Sequence, residues 1–246
     1  MSTKPLPAGP SPKRPASAGA FPKDLLLAVI PARGGSKRLP LKNLRLLAGK
    51  PLICHTIAAA RKAQAAGRVL VSTDDPRIRE VALAAGAEAP FLRPAELAGD
   101  DTPMVDVIRH AVAYLVEKED RTFPYFAVLQ PTSPLRTAED IDRAFALLLA
   151  SPADSLVSVS ARPLRSEEIY RRKGEFIEAS FPPADRQCFF QLNGALYMGK
   201  TSLLKERRLL GDAVLPYFMP EGRSLDIDYP GDLELAEVLL KGGIGL

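Results

Sequence analysis

Between residues 31 and 43 the chain reads Pro31-Ala-Arg-Gly-Gly-Ser-Lys-Arg-Leu-Pro-Leu-Lys-Asn43, directly after an apolar run, Leu25 to Ile30. Gly34 and Gly35 allow backbone amides to come close to an anion, and Arg33, Lys37 and Lys42 bring positive charge toward one point from several directions. Ser36 lies in the same turn, and no acid occurs among Arg33, Lys37, Arg38, Lys42 and Arg45. Such a loop suits a polyphosphate. A basic run also serves as a plain solvated loop, but the glycine pair, the two prolines and the position after a buried strand favour the cradle.

The second group is Ser224-Leu-Asp226-Ile-Asp228. On an extended strand, residues i and i+2 share a face, so Asp226 and Asp228 sit side by side. Two adjacent carboxylates repel unless a cation lies between them, and oxygen-only ligands suit Mg²⁺, which keeps water and substrate phosphates as its other ligands. The plainer reading is that Asp228 favours the N-terminus of a helix beginning at Pro230, which leaves Asp226 unexplained.

Other segments carry weaker signals. Gly194-Ala-Leu-Tyr-Met-Gly199-Lys200-Thr201 satisfies the phosphate-loop expression G-x-x-x-x-G-K-[ST], yet its intervening residues are bulky and strand-forming and cannot make a nest of amides. It is read as a strand, with Gly199 and Lys200 as a following turn and Thr201 or Ser202 as a cap. Gln130-Pro-Thr132-Ser133-Pro-Leu-Arg136 leaves a strand through two prolines; it could hold sugar hydroxyls or a carboxylate and equally suits a plain strand-to-helix loop. His55 and His110 stand in apolar helical stretches without a partner at ligand spacing, so they are read as packing residues.

The elements that must position these groups alternate. A strand at Leu25 to Ile30 is followed by a helix from Pro51 closed by Gly67, a strand at Val69 to Ser72, a helix from Pro76 to Ala85 and a short strand at Ala87 to Leu92. Then come a helix from Pro103 to about Glu117, a strand at Tyr125 to Leu129, a helix opened by the Thr137/Asp140 capping box and ending near Ala150, and a strand at Leu156 to Val159. The pattern predicts an α/β fold with a doubly wound, mostly parallel sheet, whose ligands bind beyond the carboxyl ends of the strands. From 162 to 191 the helical period is lost, and short strands at Glu167 to Arg171 and Glu175 to Ala179 predict an inserted hairpin. Order returns with strands at Ala195 to Met198, Val214 to Phe218 and Ser224 to Ile227, then a helix from Pro230 to about Leu240.

Composition bounds the function. The 246 residues suffice for one domain, expected over 24–246, with residues 1–23 a disordered Pro- and Ser-rich tail lacking the apolar segment of a secretory signal. No apolar run approaches the roughly 18 residues of a membrane span, so no membrane partner is expected. Cys54 and Cys188, both in apolar surroundings, are read as reduced, buried thiols, which predicts a cytoplasmic address. The net charge of +4 invites a nucleic-acid reading, but Trp is absent and the cationic loop holds no aromatic platform, which excludes it.

Together these residues resemble the acylneuraminate cytidylyltransferases, or CMP-sialic acid synthetases. The likeness runs from about Leu25 to Leu240 and rests on Ile30 to Asn43, Val71-Ser-Thr-Asp74, Leu92-Arg-Pro-Ala-Glu-Leu97, Leu129 to Arg136, Asn193-Gly-Ala-Leu-Tyr197 and Ser224 to Asp228. It implies a Rossmann-like nucleotide-diphospho-sugar transferase fold and a Mg²⁺-dependent enzyme that joins CTP to a nine-carbon 2-keto sugar acid, releasing pyrophosphate. It also implies a homodimer in which the inserted hairpin reaches the partner's site. By the resemblance, Arg33, Gly34, Gly35, Ser36, Lys37, Lys42 and Asn43 would hold the triphosphate, Arg93 the cytidine, and Asp226 and Asp228 the metal. Gln130, Thr132, Ser133, Arg186, Asn193 and Tyr197 would line the sugar pocket. Arg33, Lys42 and Asp228 would be catalytic, with Asp228, or a water near it, expected to take the proton of the attacking hydroxyl. Gln191 stands where many members carry Arg, Tyr229 where a capping Thr is common and Met104 where a hydroxyl is often found, which bears on the sugar more than on the reaction. The alternatives are a cytidylyltransferase for 3-deoxy-manno-octulosonic acid and a non-catalytic nucleotide-binding homologue.

Overall fold

The strand ahead of the basic loop, β1 (Leu26–Pro31), is buried at every residue and lies inside a six-stranded sheet. A computed structural model describes residues 21–182 and 187–243. After β1 come a small ladder, β2 (Leu46–Leu47) with β3 (Lys50–Pro51), then α1 (Leu52–Lys62), β4 (Ala66–Ser72), α2 (Pro76–Ala84), α3 (Met104–Glu119), β5 (Tyr125–Val128) and α4 (Ala138–Leu149). The second half holds β6 (Ser155–Arg165), β7 (Tyr170–Lys173), β8 (Phe176–Ala179), β9 (Cys188–Lys200), β10 (Val214–Met219) and α5 (Pro230–Gly242). The sheet order is β10-β6-β9-β5-β1-β4, parallel except where β9 runs antiparallel to both β5 and β6.

Alternate residues of β1 point to opposite faces of the sheet. Leu26, Ala28 and Ile30 pack with Ile53 and Ile57 of α1, Ile78 of α2 and Phe145 of α4, whereas Leu27 and Val29 pack with Ile108, Ala111 and Leu115 of α3. The sheet is thus covered on both sides, as the pattern predicts. Local chemistry sets the helix starts: Asp75 caps α2 through the Arg77 amide, with Pro76 following, and Thr137 and Asp140 form both arms of the capping box of α4.

Several expectations change. The first helix ends at Lys62, the Ala65 amide then donates to Asp142, and Gly67 belongs to β4. The predicted strand at Ala87 to Leu92 is reduced to one bridge, Glu88 with Leu70, because Pro90 has no amide to continue a ladder. Gly199 and Lys200 are strand residues, with Lys200 paired to Asp154, and Thr201 begins a 3₁₀ turn over residues 201–206. The Gly194–Thr201 segment is therefore strand and not a phosphate loop. Ser224 to Ile227 joins no sheet and is not a strand, and Ser224 itself lies at φ −91°, ψ 11°.

The inserted segment is an arm continuous with the sheet, since β6 and β9 run on past the core and pair as far as Arg165 with Cys188. The β7–β8 hairpin turns at Gly174, and Glu167 and Glu168 lie in a 3₁₀ turn instead of the strand expected there. Cys188 is exposed and not buried, because it sits on this arm; Cys54 is partly covered. Phe21 packs on Phe145 at 5.5 Å, so the chain joins the core before the expected boundary at 24. The rest of the expected tail, and Arg186, lie outside the described residues.

Candidate active site

β1, β4 and β5 are parallel and end almost level, Pro31 beside Ser72 and Val29 beside Val128, so the loops that follow them open on one edge of the sheet. The antiparallel β9 brings its early residues to the same edge. At that edge a cavity of about 330 Å³ is lined by Arg33, Gly35, Ser36, Lys42, Asn43, Arg93, Gln130, Thr132, Asp226 and Asp228, among others. Two clusters read separately from opposite ends of the sequence therefore share one space.

The basic loop is held by its own apolar residues. Leu39 is buried with Leu47, Leu52, Ile227 and Ala236, and Asn43 donates its side-chain amide to the Arg33 carbonyl at 2.9 Å. Gly34 donates its amide to Asp74 at 2.9 Å, and a Cβ there would come within 2.8 Å of an Asp75 carboxylate oxygen, whereas at Gly35 it would meet nothing within 4 Å. Gly34 is thus required by packing and Gly35 is free of it.

The acidic segment is a link pegged at its centre. Ile227 is fully buried and donates its amide to the Thr132 carbonyl at 2.8 Å, which turns its neighbours Asp226 and Asp228 toward the cavity. The expected shared face is present without a strand. Upstream, Arg223 pairs with the buried Asp140 at 2.8 Å, and Tyr217 donates to the same carboxylate at 3.0 Å, anchoring the link to α4 and β10. Asp228 does not cap α5; Asp232 accepts the amides of Asp228 and Tyr229 instead.

Electrostatics separates the two aspartates. Asp228 accepts from Lys42 at 3.0 Å and from Arg38 at 2.5 Å, and these cations hold its carboxyl below the usual range. That is the reverse of what a base at neutral pH needs, and it weighs against the expected proton acceptor. Asp226 is open to the cavity but crowded by protein on its other sides. This desolvation, with the charge of Asp228 added, raises its carboxyl above the ordinary value, against a hydrogen bond from Thr132. The oxygen-only donors here suit a hard cation: two carboxylates and the Thr132 hydroxyl, with no thiol or imidazole among the residues lining the cavity.

Arg93 lies in the opposite wall, bonded to the hydroxyl and carbonyl of Ser72, and burial brings its pKa down to about 10. Its hydrogen bonds go to carbonyl and hydroxyl groups, the Asp74 carboxylate acts on it only at longer range, and it lines the cavity with Leu97, Gly99, Thr102, Met104 and Val107. His110 stacks edge-on against Phe91 at 4.6 Å and His55 bonds the Leu47 carbonyl at 2.9 Å, consistent with packing roles.

A second cavity of about 380 Å³ adjoins the first and shares Asp226 with it; Ser160, Gln191, Asn193, Glu221 and Ser224 contribute polar groups, and Leu192, Leu225, Leu235 and Leu239 apolar ones. Asn193 binds Ser158 at 2.5 Å and Ser224 at 3.0 Å, tying β6, β9 and the acidic link together. Gly194 beside it has φ 72°, and its missing Cβ leaves room for Gln130, Ser133 and Asp226. Of the residues expected around a sugar, Gln130 and Thr132 line the first cavity and Asn193 the second, while Ser133, bonded to the Asn193 carbonyl, and Tyr197 line neither. Lys37 also lies outside the lining, paired with Asp100. Arg38 is a cation of the basic loop and Asp74 ends the Val71–Asp74 motif, whereas nothing in the sequence points to Asp100.

Comparison with known proteins gives the family and the fold. A family profile described as Cytidylyltransferase matches residues 27–179. The CMP-N,N'-diacetyllegionaminic acid synthase of Legionella pneumophila is 35% identical over 225 residues, covering 88% of this chain and 96% of that protein. The N-acylneuraminate cytidylyltransferase of Escherichia coli is 34% identical over 219 residues, covering 86% of this chain and 51% of that protein, so this chain spans about half of its length. A solved CMP:2-keto-3-deoxy-manno-octonic acid synthetase complexed with CTP is alike in fold, with a TM-score of 0.66 at 19% identity over 89% of this chain and 100% of that one.

Proposed function

This chain belongs to the cytidylyltransferase family, and from that premise we propose that it transfers CMP from CTP to a nine-carbon nonulosonic acid, releasing pyrophosphate. The observation that carries the reading is the convergence of Arg33, Lys42, Asp226 and Asp228 on one cavity, with a second, mixed polar and apolar cavity across Asp226. The first is suited to the nucleotide and the second to the acceptor. The two relatives named above carry legionaminic and neuraminic acids in their names, so the shared substrate class is the nonulosonic acids.

In this reading Arg33, Lys37, Lys42, Asn43 and the amides of Gly35 and Ser36 bind the triphosphate, while the Gly34 amide is held by Asp74, and Arg93 faces the cytosine. The anomeric hydroxyl attacks the α-phosphorus in line, passing its proton to a water near Asp228, and the bond from the α-phosphorus to the bridging oxygen breaks as pyrophosphate leaves toward the basic loop. Charge on the phosphate oxygens is met by cations already gathered at the cavity, Arg33 and Lys42 among them. Asp226 and Asp228 hold Mg²⁺, which supplies further neutralisation of the phosphates when bound. Arg38 and Lys42 keep Asp228 ionised for that purpose.

The protein acts as a cytoplasmic homodimer in this reading, and Tyr170, Phe176 and Ile177, exposed on the arm, support pairing there. Among the described residues no helix is long and apolar enough to cross a membrane. The test is pyrophosphate release from CTP with Mg²⁺ and a panel of sialic, legionaminic, pseudaminic and 3-deoxy-manno-octulosonic acids. Release with the nine-carbon acids is expected. Release with the eight-carbon acid alone would overturn the substrate assignment, and no release with any would overturn the activity.

A further inference from the structure

Arg33 and Lys37, two cations of the basic loop, both end on one carboxylate. Arg33 Nη1 lies 2.5 Å from Asp100 Oδ1, and Lys37 Nζ lies 2.5 Å from Asp100 Oδ2. Asp100 comes from the loop between the 3₁₀ turn at 95–97 and α3, and it lines the first cavity together with Arg33. One acidic side chain therefore bridges two cations with its two oxygens, as two oxygens of a polyphosphate would.

The pair is built to exchange. The Lys37 side chain is 83% exposed and that of Asp100 37%, so each contact is of the solvent-screened kind that is readily exchanged. A ligand with two or more phosphoryl groups offers more charge and more acceptor oxygens than the carboxylate and can take both cations at once. A single phosphoryl group can also bridge the two cations, but it brings less charge and fewer acceptor oxygens and so displaces Asp100 less well.

We infer that Asp100 is an internal stand-in for the leaving polyphosphate: it occupies Arg33 and Lys37 when the cradle is empty, yields them to a triphosphate, and takes them back as pyrophosphate departs. It is thereby a specificity-determining residue that sets a threshold of phosphate charge and limits product inhibition. This rests on the proposed nucleotide site.

The test is calorimetric titration of the full chain with inorganic pyrophosphate, CTP and CMP, with and without Mg²⁺, for the wild type, Asp100→Asn and Asp100→Glu. The Asn variant should bind pyrophosphate and CTP about three- to tenfold more tightly, with CMP changed less. Pyrophosphate should become a correspondingly stronger inhibitor, and Asp100→Glu, which keeps the charge, should stay near wild type. Unchanged or weaker pyrophosphate binding by Asp100→Asn would overturn the inference, as would equal tightening for CMP. Tighter pyrophosphate binding in a protein that neither binds nor turns over CTP would keep the stand-in and reject the cytidylyl reading. Normal CTP turnover with no change on Asp100→Asn would do the opposite.

Discussion

Lys42 and Asp228 are 186 residues apart in the chain and 3.0 Å apart in space, and the same ammonium donates to the Ile227 carbonyl at 2.9 Å. One side chain thereby closes the first loop of the sheet against the link that precedes the last helix. Because the Lys42 side chain is only 15% exposed, these bonds are screened less than those of Arg38, whose side chain is 58% exposed.

Lys42→Met should therefore act more on the reaction than on the fold. The loss of two partly shielded bonds is expected to lower stability by about 1–2 kcal/mol. Turnover of CTP should fall by about a hundredfold or more, since a preorganised cation is removed from the phosphate site. Urea denaturation and steady-state rates measured on the same preparation check both numbers; turnover within about threefold of wild type would take Lys42 out of the reaction.

The acid limb of stability should carry the signature of Asp228. Its pKa is depressed, so the folded protein releases this proton more readily than the unfolded chain. The pairing then stabilises the fold above the ordinary carboxylate value of about 3.9 and is lost as pH falls through the lower folded value. The stability difference between wild type and Asp228→Asn should stay level from neutral pH to about pH 5 and shrink below about pH 4. Stepped-pH urea titrations measure it, and a difference that widens on acidification would contradict the pairing.

Asp226 has the opposite sign. Its pKa is raised, so its protonated form is favoured in the fold, and ionising it as pH rises through and above the ordinary range works against stability. Because the cavity leaves the group open to solvent, the effect is small. Asp226→Asn should leave stability at neutral pH unchanged or higher by no more than about 0.5 kcal/mol. Its turnover with Mg²⁺ should nevertheless fall by about a hundredfold or more if this carboxylate carries the cation. Thermal unfolding beside single-turnover rates separates the two; a variant that is both unstable and inactive would mean the carboxylate is structural.

What sequence made legible was local. The apolar run of β1, the Thr137/Asp140 box and the Pro76 helix start are each written within a few residues, and all three are present. The alternation at Ser224 to Asp228 announced an extended backbone with both acids on one side. What holds that backbone is Ile227 sunk among Leu39, Leu47 and Leu52, a contact between distant segments that alternation cannot report. The lengths of β6 and β9 were hidden for a related reason: beyond the core their residues are exposed on both faces, so the apolar pattern stops before the strands do. Asp100 was invisible because its role arises only when the loop before α3 folds over the basic loop.

The two glycines of the basic loop offer a paired experiment. At Gly34 a methyl group would press on Asp75, which caps α2 and binds Arg77, so Gly34→Ala must shift that side chain or the loop. A loss of about 1–2 kcal/mol is expected, the usual cost of a disturbed cap. At Gly35 nothing stands within 4 Å, so Gly35→Ala should fold with wild-type stability. Gly35 lines the first cavity, however, and a methyl group there would hold the triphosphate off the amides; the KM for CTP should rise by about tenfold with a smaller change in kcat. Wild-type kinetics in a stable Gly35→Ala protein would show that the phosphates pass elsewhere, whereas a raised KM without lost stability places them against this turn.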